Sequence, residues 1–131
     1  PPLLGQIVAE ASLDAPRDYA IHTYEEFIER RNCLIDGLNS IPGVYSPIPM
    51  GAFYTVARLP IDDSDRFCAW LLSDFSYEGQ TVMLAPASGF YTDEGRGRDE
   101  VRISYTICKS ELKMALKVLA EALKVYPGRR E

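Results

Sequence analysis

The stretch DEVRISY, residues 99–105, predicts a short strand in which one charged side chain interrupts an apolar alternation. Because side chains alternate along a strand, Val101, Ile103 and Tyr105 should share one face. Arg102 should then project from the opposite face. An arginine within a strand needs a partner, and its planar guanidinium matches a carboxylate or a phosphate, which it binds bidentately. From this strand alone, the simpler interpretation is a surface ion pair with one of the two preceding acidic residues.

The size and composition of the chain fit one globular domain. Its 131 residues can bury a core, and 47% hydrophobic and 25% charged residues are ordinary values. The net charge of −5 argues against nucleic acid and against an anionic membrane surface as partners. No apolar run approaches the length of a membrane span. The chain starts at Pro1 without a methionine, so we expect a piece of a larger protein or a processed one.

Cysteine and histidine positions indicate no metal site. Cys33, Cys68 and Cys108 are widely spaced and odd in number, and no CxxC pair exists. Each lies in an apolar-periodic segment, so we expect all three to be buried. The lone His22 cannot complete a zinc site and is expected on a helix surface or at an interface. These features favour a reducing, cytoplasmic compartment.

Hydrophobic periodicity predicts the element order helix, helix, strand, helix, strand, strand, helix. The predicted elements are a helix within 3–13, a helix capped by Asp18 and reaching about Asn39, a strand over 51–59, a helix starting among 62–65, a buried strand over 82–85, the Arg102 strand and a helix capped by Ser110. Residues 86–100 should form a long mobile loop without regular structure, which is often functional. This order indicates an α+β domain with helices packed mainly on one face of a small sheet.

The sequence contains no complete catalytic set. A single histidine rules out a plausible Ser–His–Asp arrangement, and neither a P-loop nor a GxGxxG fingerprint is present. All the lysines lie in or beside the last predicted helix, which favours a solvated face over a Schiff base in a desolvated pocket: Lys109, Lys113, Lys117 and Lys124. The one credible ligand-anchoring group is Arg102, next to a glycine-rich loop.

Short motifs along the chain lead to a more specific interpretation. They are, in order, GAFY at 51–54, LP at 59–60, VMLAP at 82–86, GFY at 89–91, Gly95 and VRISY at 101–105. In order and spacing they resemble the C-terminal small domain of class I/II aminotransferases, the fold-type I pyridoxal-phosphate enzymes of the aspartate aminotransferase family. Upstream, residues 6–11 resemble the last helix of the large domain, and the following long helix resembles the interdomain helix.

The resemblance implies an organisation and a site. The fold would be α+β with a small, mostly antiparallel sheet. Residues 1–15 would be a remnant of the large pyridoxal-phosphate-binding domain, and residues 16–131 would be the small domain with its interdomain helix. The arginine of the R-I-S motif binds the substrate α-carboxylate in such enzymes, and this role falls on Arg102. Gly89, Phe90 and Tyr91 would form the candidate active-site loop.

The resemblance also implies what the chain lacks. The Schiff-base lysine and the cofactor-binding residues belong to the large domain, so we expect no catalytic, cofactor-binding or metal-binding residue here. Pyridoxal phosphate would be bound by the full-length parent and not by this chain, which alone should be inactive. Expected partners are an amino acid and a 2-oxo acid, the large domain of the same chain, and a second subunit of a parent homodimer.

Three functions remain open at this point. The first is a domain of an aminotransferase of aspartate or aromatic type, which moves an amino group between an amino acid and a 2-oxo acid and closes over the active site. The second is a stand-alone amino-acid-binding or regulatory α+β module, in which Arg102 binds a free ligand. The third is a structural or interaction domain, in which Arg102 forms a plain ion pair. Lyases and synthases of the same family share such a domain, so the parent's reaction and its amino acid stay open.

Overall fold

The computed structural model describes residues 2–130, apart from the side chain of Arg17. The outer limits of the two expected domains, residues 1 and 131, lie outside this range. The elements are, in chain order, α1 (Leu3–Ser12), α2 (Arg17–Asn39), β1 (Tyr54–Arg58), α3 (Ser64–Ser73), β2 (Ala85–Pro86), a 3₁₀ helix (Ser88–Phe90), β3 (Glu100–Ser104) and α4 (Lys109–Val125). This confirms the α+β class.

The three strands form one antiparallel sheet in the order β1-β3-β2. In the central strand, Arg102 lies opposite Val56 of β1 and Ala85 of β2. Val101 and Tyr105 are buried, whereas Arg102 is exposed. The alternation predicted for this strand is therefore confirmed.

The core lies between one face of the sheet and the helices. α2, α3 and α4 each contribute an apolar stripe to it, because their buried residues recur at helical spacing. Its largest buried members from these helices are Leu34, Leu38, Phe67, Leu71, Leu112, Leu119 and Leu123, which pack with Ala57 and Val101 of the sheet. The opposite face of the sheet, which carries Tyr54 and Arg102, is exposed.

Two predicted helix caps are wrong. α2 begins at Arg17, directly after Pro16, and Asp18 lies in its first turn. Asp18 still favours the helix there through its charge, because the helix N-terminus is electropositive. α4 begins at Lys109 and is capped by Cys108, with Glu111 completing a capping box. By contrast, α3 is capped within the predicted range, since Asp63 accepts a hydrogen bond from the Arg66 backbone at 3.0 Å.

Two strand predictions and one cysteine prediction also need correction. β1 starts only at Tyr54, because Ala52 has a left-handed φ of 61° that interrupts the extended backbone. The buried strand predicted over 82–85 is displaced to Ala85–Pro86. Val82 and Leu84 pack against the core from an irregular segment, whereas Met83 is exposed. Cys68 is buried, which raises the pKa of its thiol to about 11. Cys33 is half-buried and Cys108 is exposed, because a helix cap lies at the surface.

α1 differs from α2, α3 and α4 in having no buried residue. Its apolar side chains are exposed: Leu3, Leu4, Ile7 and Val8. His22, on α2, is exposed as predicted and lies near two carboxylates. Among residues 2–130, no helix is both long and apolar enough to cross a membrane.

Candidate carboxylate-binding site

Arg102 occupies the centre of the open sheet face. Its guanidinium carbon lies 5.3 Å from the centre of the Tyr54 ring and 5.2 Å from the centre of the Phe90 ring. Both distances lie within the range of a cation–π contact. Tyr54 starts β1 and Phe90 ends the 3₁₀ helix, so three separate segments meet at this one side chain.

No carboxylate neutralises Arg102 within the part of the chain that the structure describes. Its guanidinium makes no hydrogen bond or ion pair there. The acidic neighbour Glu100 instead accepts a hydrogen bond from the Tyr91 hydroxyl at 2.5 Å. That bond raises the pKa of Tyr91, because it stabilises the protonated phenol. The alternative of a plain ion pair with a preceding acidic residue is therefore not supported.

Hydrogen bonds anchor the loop on both sides of Phe90. Before it, the Ser88 hydroxyl donates to Asp65 of α3 at 2.5 Å. After it, Tyr91 holds Glu100 of β3. The expectation of a loop without regular structure is wrong, because Ser88–Phe90 forms a 3₁₀ helix. Of the three predicted loop residues, Gly89, Phe90 and Tyr91, the structure brings Phe90 into contact with Arg102, whereas the Tyr91 hydroxyl bonds to Glu100.

The far end of the loop is tied to α3. The Ser64 hydroxyl donates to the Gly97 carbonyl at 3.2 Å, and the Ser64 backbone donates to the Arg98 carbonyl at 2.6 Å. Arg96 lies over the Tyr91 ring at 4.9 Å. The loop that includes Phe90 is thus hydrogen-bonded to both α3 and β3.

The turn before β1 sets the position of Tyr54. The Tyr105 hydroxyl donates to the Ala52 carbonyl at 2.8 Å, and the Tyr105 backbone donates to the Phe53 carbonyl at 3.0 Å. These bonds hold Ala52 in its strained conformation. Sequence reasoning placed Tyr54 in a motif but not at the site. Its position could have been found from the strand pairing, because Tyr54 is the diagonal neighbour of Arg102 on the same face.

The four lysines do not fit covalent attachment of a carbonyl cofactor. A Schiff-base lysine needs a lowered pKa, which burial or a nearby cation provides. Here a hydrogen bond from Lys109 to Glu29 raises the pKa of Lys109, and hydrogen bonds to Tyr77 and Glu78 raise that of Lys117. Lys124 pairs with Glu121, and Lys113 is exposed. Lys109 and Lys117 therefore lack the lowered pKa that covalent attachment of a carbonyl cofactor requires.

Known proteins are similar to this chain in both sequence and fold. An aspartate aminotransferase of Rhizobium meliloti is 35% identical over 136 residues, which cover 95% of this chain and 31% of that protein. The structure of an aminotransferase from Mycobacterium tuberculosis matches 95% of this chain and 31% of that one, with a TM-score of 0.76 and 33% identity. The aspartate aminotransferase of Thermus thermophilus with maleate matches 82% and 25%, with a TM-score of 0.67 and 27% identity. No protein-family model matches the sequence.

These likenesses extend over nearly the whole chain. Fold and sequence both match aminotransferases over most of its length. The chain is therefore similar to aminotransferases of the aspartate aminotransferase family over 95% of its length, which is consistent with a C-terminal fragment of a fold-type I aminotransferase. It spans 31% of the length of the Rhizobium relative.

Proposed function

We propose that this chain is the substrate-carboxylate-binding domain of a pyridoxal-phosphate-dependent aminotransferase and that Arg102 binds the α-carboxylate. The observation that carries the proposal is an exposed guanidinium on the open sheet face that has no acidic partner among the described residues. Such a group is ready for a bidentate pair with an incoming carboxylate.

The role of Arg102 would be to position the substrate. Two parallel N–H···O bonds fix both oxygens of a carboxylate, and this orients the Cα–H bond that the reaction breaks. The loop around Phe90 would border the site, and closure of the domain would exclude water from it. Proton transfer and cofactor binding would rest with residues outside this chain, because none of its lysines suits them.

The relatives' names support the substrate class. The Rhizobium and Thermus relatives are aspartate aminotransferases, and the Thermus structure contains maleate, a dicarboxylate. We therefore propose an aspartate-type parent that exchanges an amino group between an amino acid and a 2-oxo acid. A homodimeric parent in the cytoplasm is part of the same proposal.

The exposure of α1 supports a proposed organisation of the parent. Its exposed apolar side chains suit a helix that packs on another unit, and we propose that residues 1–15 belong with the large domain. The large domain would hold pyridoxal phosphate, so that this chain alone neither binds it nor catalyses transfer.

The test uses the protein extended at its N-terminus to the length of its relatives, loaded with pyridoxal phosphate. Affinity for aspartate is measured from the change in absorbance of the bound cofactor. Arg102→Ala removes two charge-assisted hydrogen bonds and should weaken aspartate binding about a hundredfold. Arg58→Ala is the matched control, because Arg58 is an exposed arginine on the same sheet face. Equal effects of the two substitutions would refute the proposal.

The same measurement on this chain alone tests the remaining part. We expect no absorption band from bound cofactor and no amino transfer. A band that resists dialysis would show that this chain holds the cofactor by itself. Tight aspartate binding by this chain without cofactor would instead identify a stand-alone binding module.

A further inference from the structure

We propose that Phe90 and Tyr54 are positioning residues that hold the Arg102 guanidinium between two aromatic rings, so that the loop conformation sets the affinity for the substrate carboxylate. This inference rests on the proposed role of Arg102. It adds two residues and a physical link between loop and arginine.

The geometry favours an aromatic clamp, in which the rings of Tyr54 and Phe90 both contact the Arg102 guanidinium. The two ring centres lie 5.2 Å and 5.3 Å from the guanidinium carbon, so both rings are within contact distance of the same group. Rings of this kind bind the faces of a guanidinium and leave its N–H edge free. A bidentate carboxylate binds through that edge. The clamp and the substrate therefore do not compete for the same atoms.

The chemistry of the clamp also suits a binding arginine. An acidic partner would fix the side chain but would neutralise its charge and occupy its donors. Aromatic rings attract the cation through their electron-rich faces and leave the charge available. An exposed arginine has many rotamers, and restricting them before the substrate arrives lowers the entropy cost of binding. Two rings thus preorganise Arg102 without neutralising it.

The loop provides the link to the rest of the domain. Phe90 is 55% exposed, so little packing holds it in place. Its position is set by the fastened residues on either side, the Ser88–Asp65 bond and the Tyr91–Glu100 bond. A loop that loses these bonds would withdraw one ring from Arg102. Carboxylate affinity should then fall even though Arg102 itself is unchanged.

The experiment compares Phe90→Leu and Phe90→Tyr in the extended, cofactor-loaded protein. Each variant is titrated with aspartate and with β-alanine, the amine that remains when the α-carboxylate is removed. Loss of one cation–π contact should weaken aspartate binding about three- to fivefold for Phe90→Leu. Phe90→Tyr, which keeps the ring, should match the parent. The affinity for β-alanine should not change in either variant.

The controls separate the clamp from general damage. Tyr45→Leu removes another exposed aromatic ring with no contact to Arg102 and should leave aspartate binding unchanged. In an Arg102→Ala background, Phe90→Leu should have no further effect on aspartate binding. Thermal unfolding of each variant confirms that it folds.

A second measurement does not depend on cofactor or activity. In an NMR spectrum of this chain, the Nε–H signal of Arg102 should be shifted by the ring currents of Tyr54 and Phe90. Phe90→Leu should move that signal toward the position of an exposed arginine, and Tyr45→Leu should not.

The outcomes distinguish the two proposals. If Arg102→Ala leaves aspartate binding intact, the proposed role of Arg102 fails. If Arg102→Ala weakens binding while Phe90→Leu behaves like Tyr45→Leu, only the clamp is overturned. An equal loss of aspartate and β-alanine binding in Phe90→Leu would also overturn it, because that pattern indicates structural damage.

Discussion

Gly97→Ala should damage the loop that carries Phe90 far more than its neighbour Gly95→Ala. Both glycines have left-handed backbones, with φ of 72° at Gly97 and 84° at Gly95. A Cβ at Gly97 would lie 2.6 Å from two ring carbons of Tyr91 and 2.8 Å from the Ala87 carbonyl oxygen. A Cβ at Gly95 would meet nothing within 4 Å. The two positions therefore share backbone strain and differ in steric overlap.

The magnitude follows from these two contributions. A residue with a side chain costs about 1–2 kcal/mol in the left-handed region, and this applies to both substitutions. Overpacking of a filled site costs about 1–3 kcal/mol more, and this applies only to Gly97. We expect a loss of about 2–5 kcal/mol for Gly97→Ala against about 1–2 kcal/mol for Gly95→Ala. The overlap involves the backbone oxygen of Ala87, so rotation of the Tyr91 ring cannot remove all of it.

Urea unfolding of this chain, followed by circular dichroism, measures both losses. Tyr91→Ala, combined with Gly97→Ala, should recover the part caused by the ring and not the part caused by the carbonyl. Equal free energies of unfolding for Gly97→Ala and Gly95→Ala would refute the reasoning. Such equality would mean that Tyr91 and Ala87 move away from the new Cβ without a loss of unfolding free energy.

Two further predictions concern titratable groups. Burial, with a hydrogen bond from the Tyr126 hydroxyl to Asp62 at 2.9 Å, raises the pKa of Tyr126 to about 12. The folded pKa lies above the unfolded value of about 10, so this contribution to stability is complete below pH 10 and is lost as the pH rises toward 12. The Tyr126→Phe variant should be less stable than the parent chain at neutral pH, and its free energy of unfolding should fall less between pH 10 and pH 12. Urea titrations at several pH values measure both differences, and the same pH profile in the two proteins would contradict the prediction. Iodoacetamide at pH 8 should modify exposed Cys108 well before Cys68, whose pKa is about 11 and whose side chain is buried. Peptide mass spectrometry measures the order of modification, and modification of Cys68 before Cys108 would contradict the prediction.

The strand around Arg102 was predictable because its information is local. Alternation of apolar and polar residues sets which side chains face the core, and the structure places Val101 and Arg102 on opposite faces as expected. Element order was predictable for the same reason. Element ends were less so, since Pro16 and Cys108 compete with more typical capping residues only a residue or two away.

The surroundings of Arg102 were not predictable, because they depend on residues far apart in sequence. Nothing local to Ala52 indicates a left-handed backbone, which is held by a hydrogen bond from Tyr105, 53 positions along the chain. The contact of Phe90 and Tyr54 with the same guanidinium likewise requires the sheet pairing and the loop ties to be known together.

Because Arg102 lies at the centre of β3, the strand pairing that buries the core also places the guanidinium on the open face of the sheet. A shift of one residue in the pairing of β3 would turn the guanidinium into the core and turn Val101 out to solvent. A buried charge without a partner is costly, so the misaligned strand is excluded by its own arginine. The residue proposed to bind the substrate carboxylate thereby also favours one alignment of the sheet. A chain that folds stably must present its guanidinium on the open face.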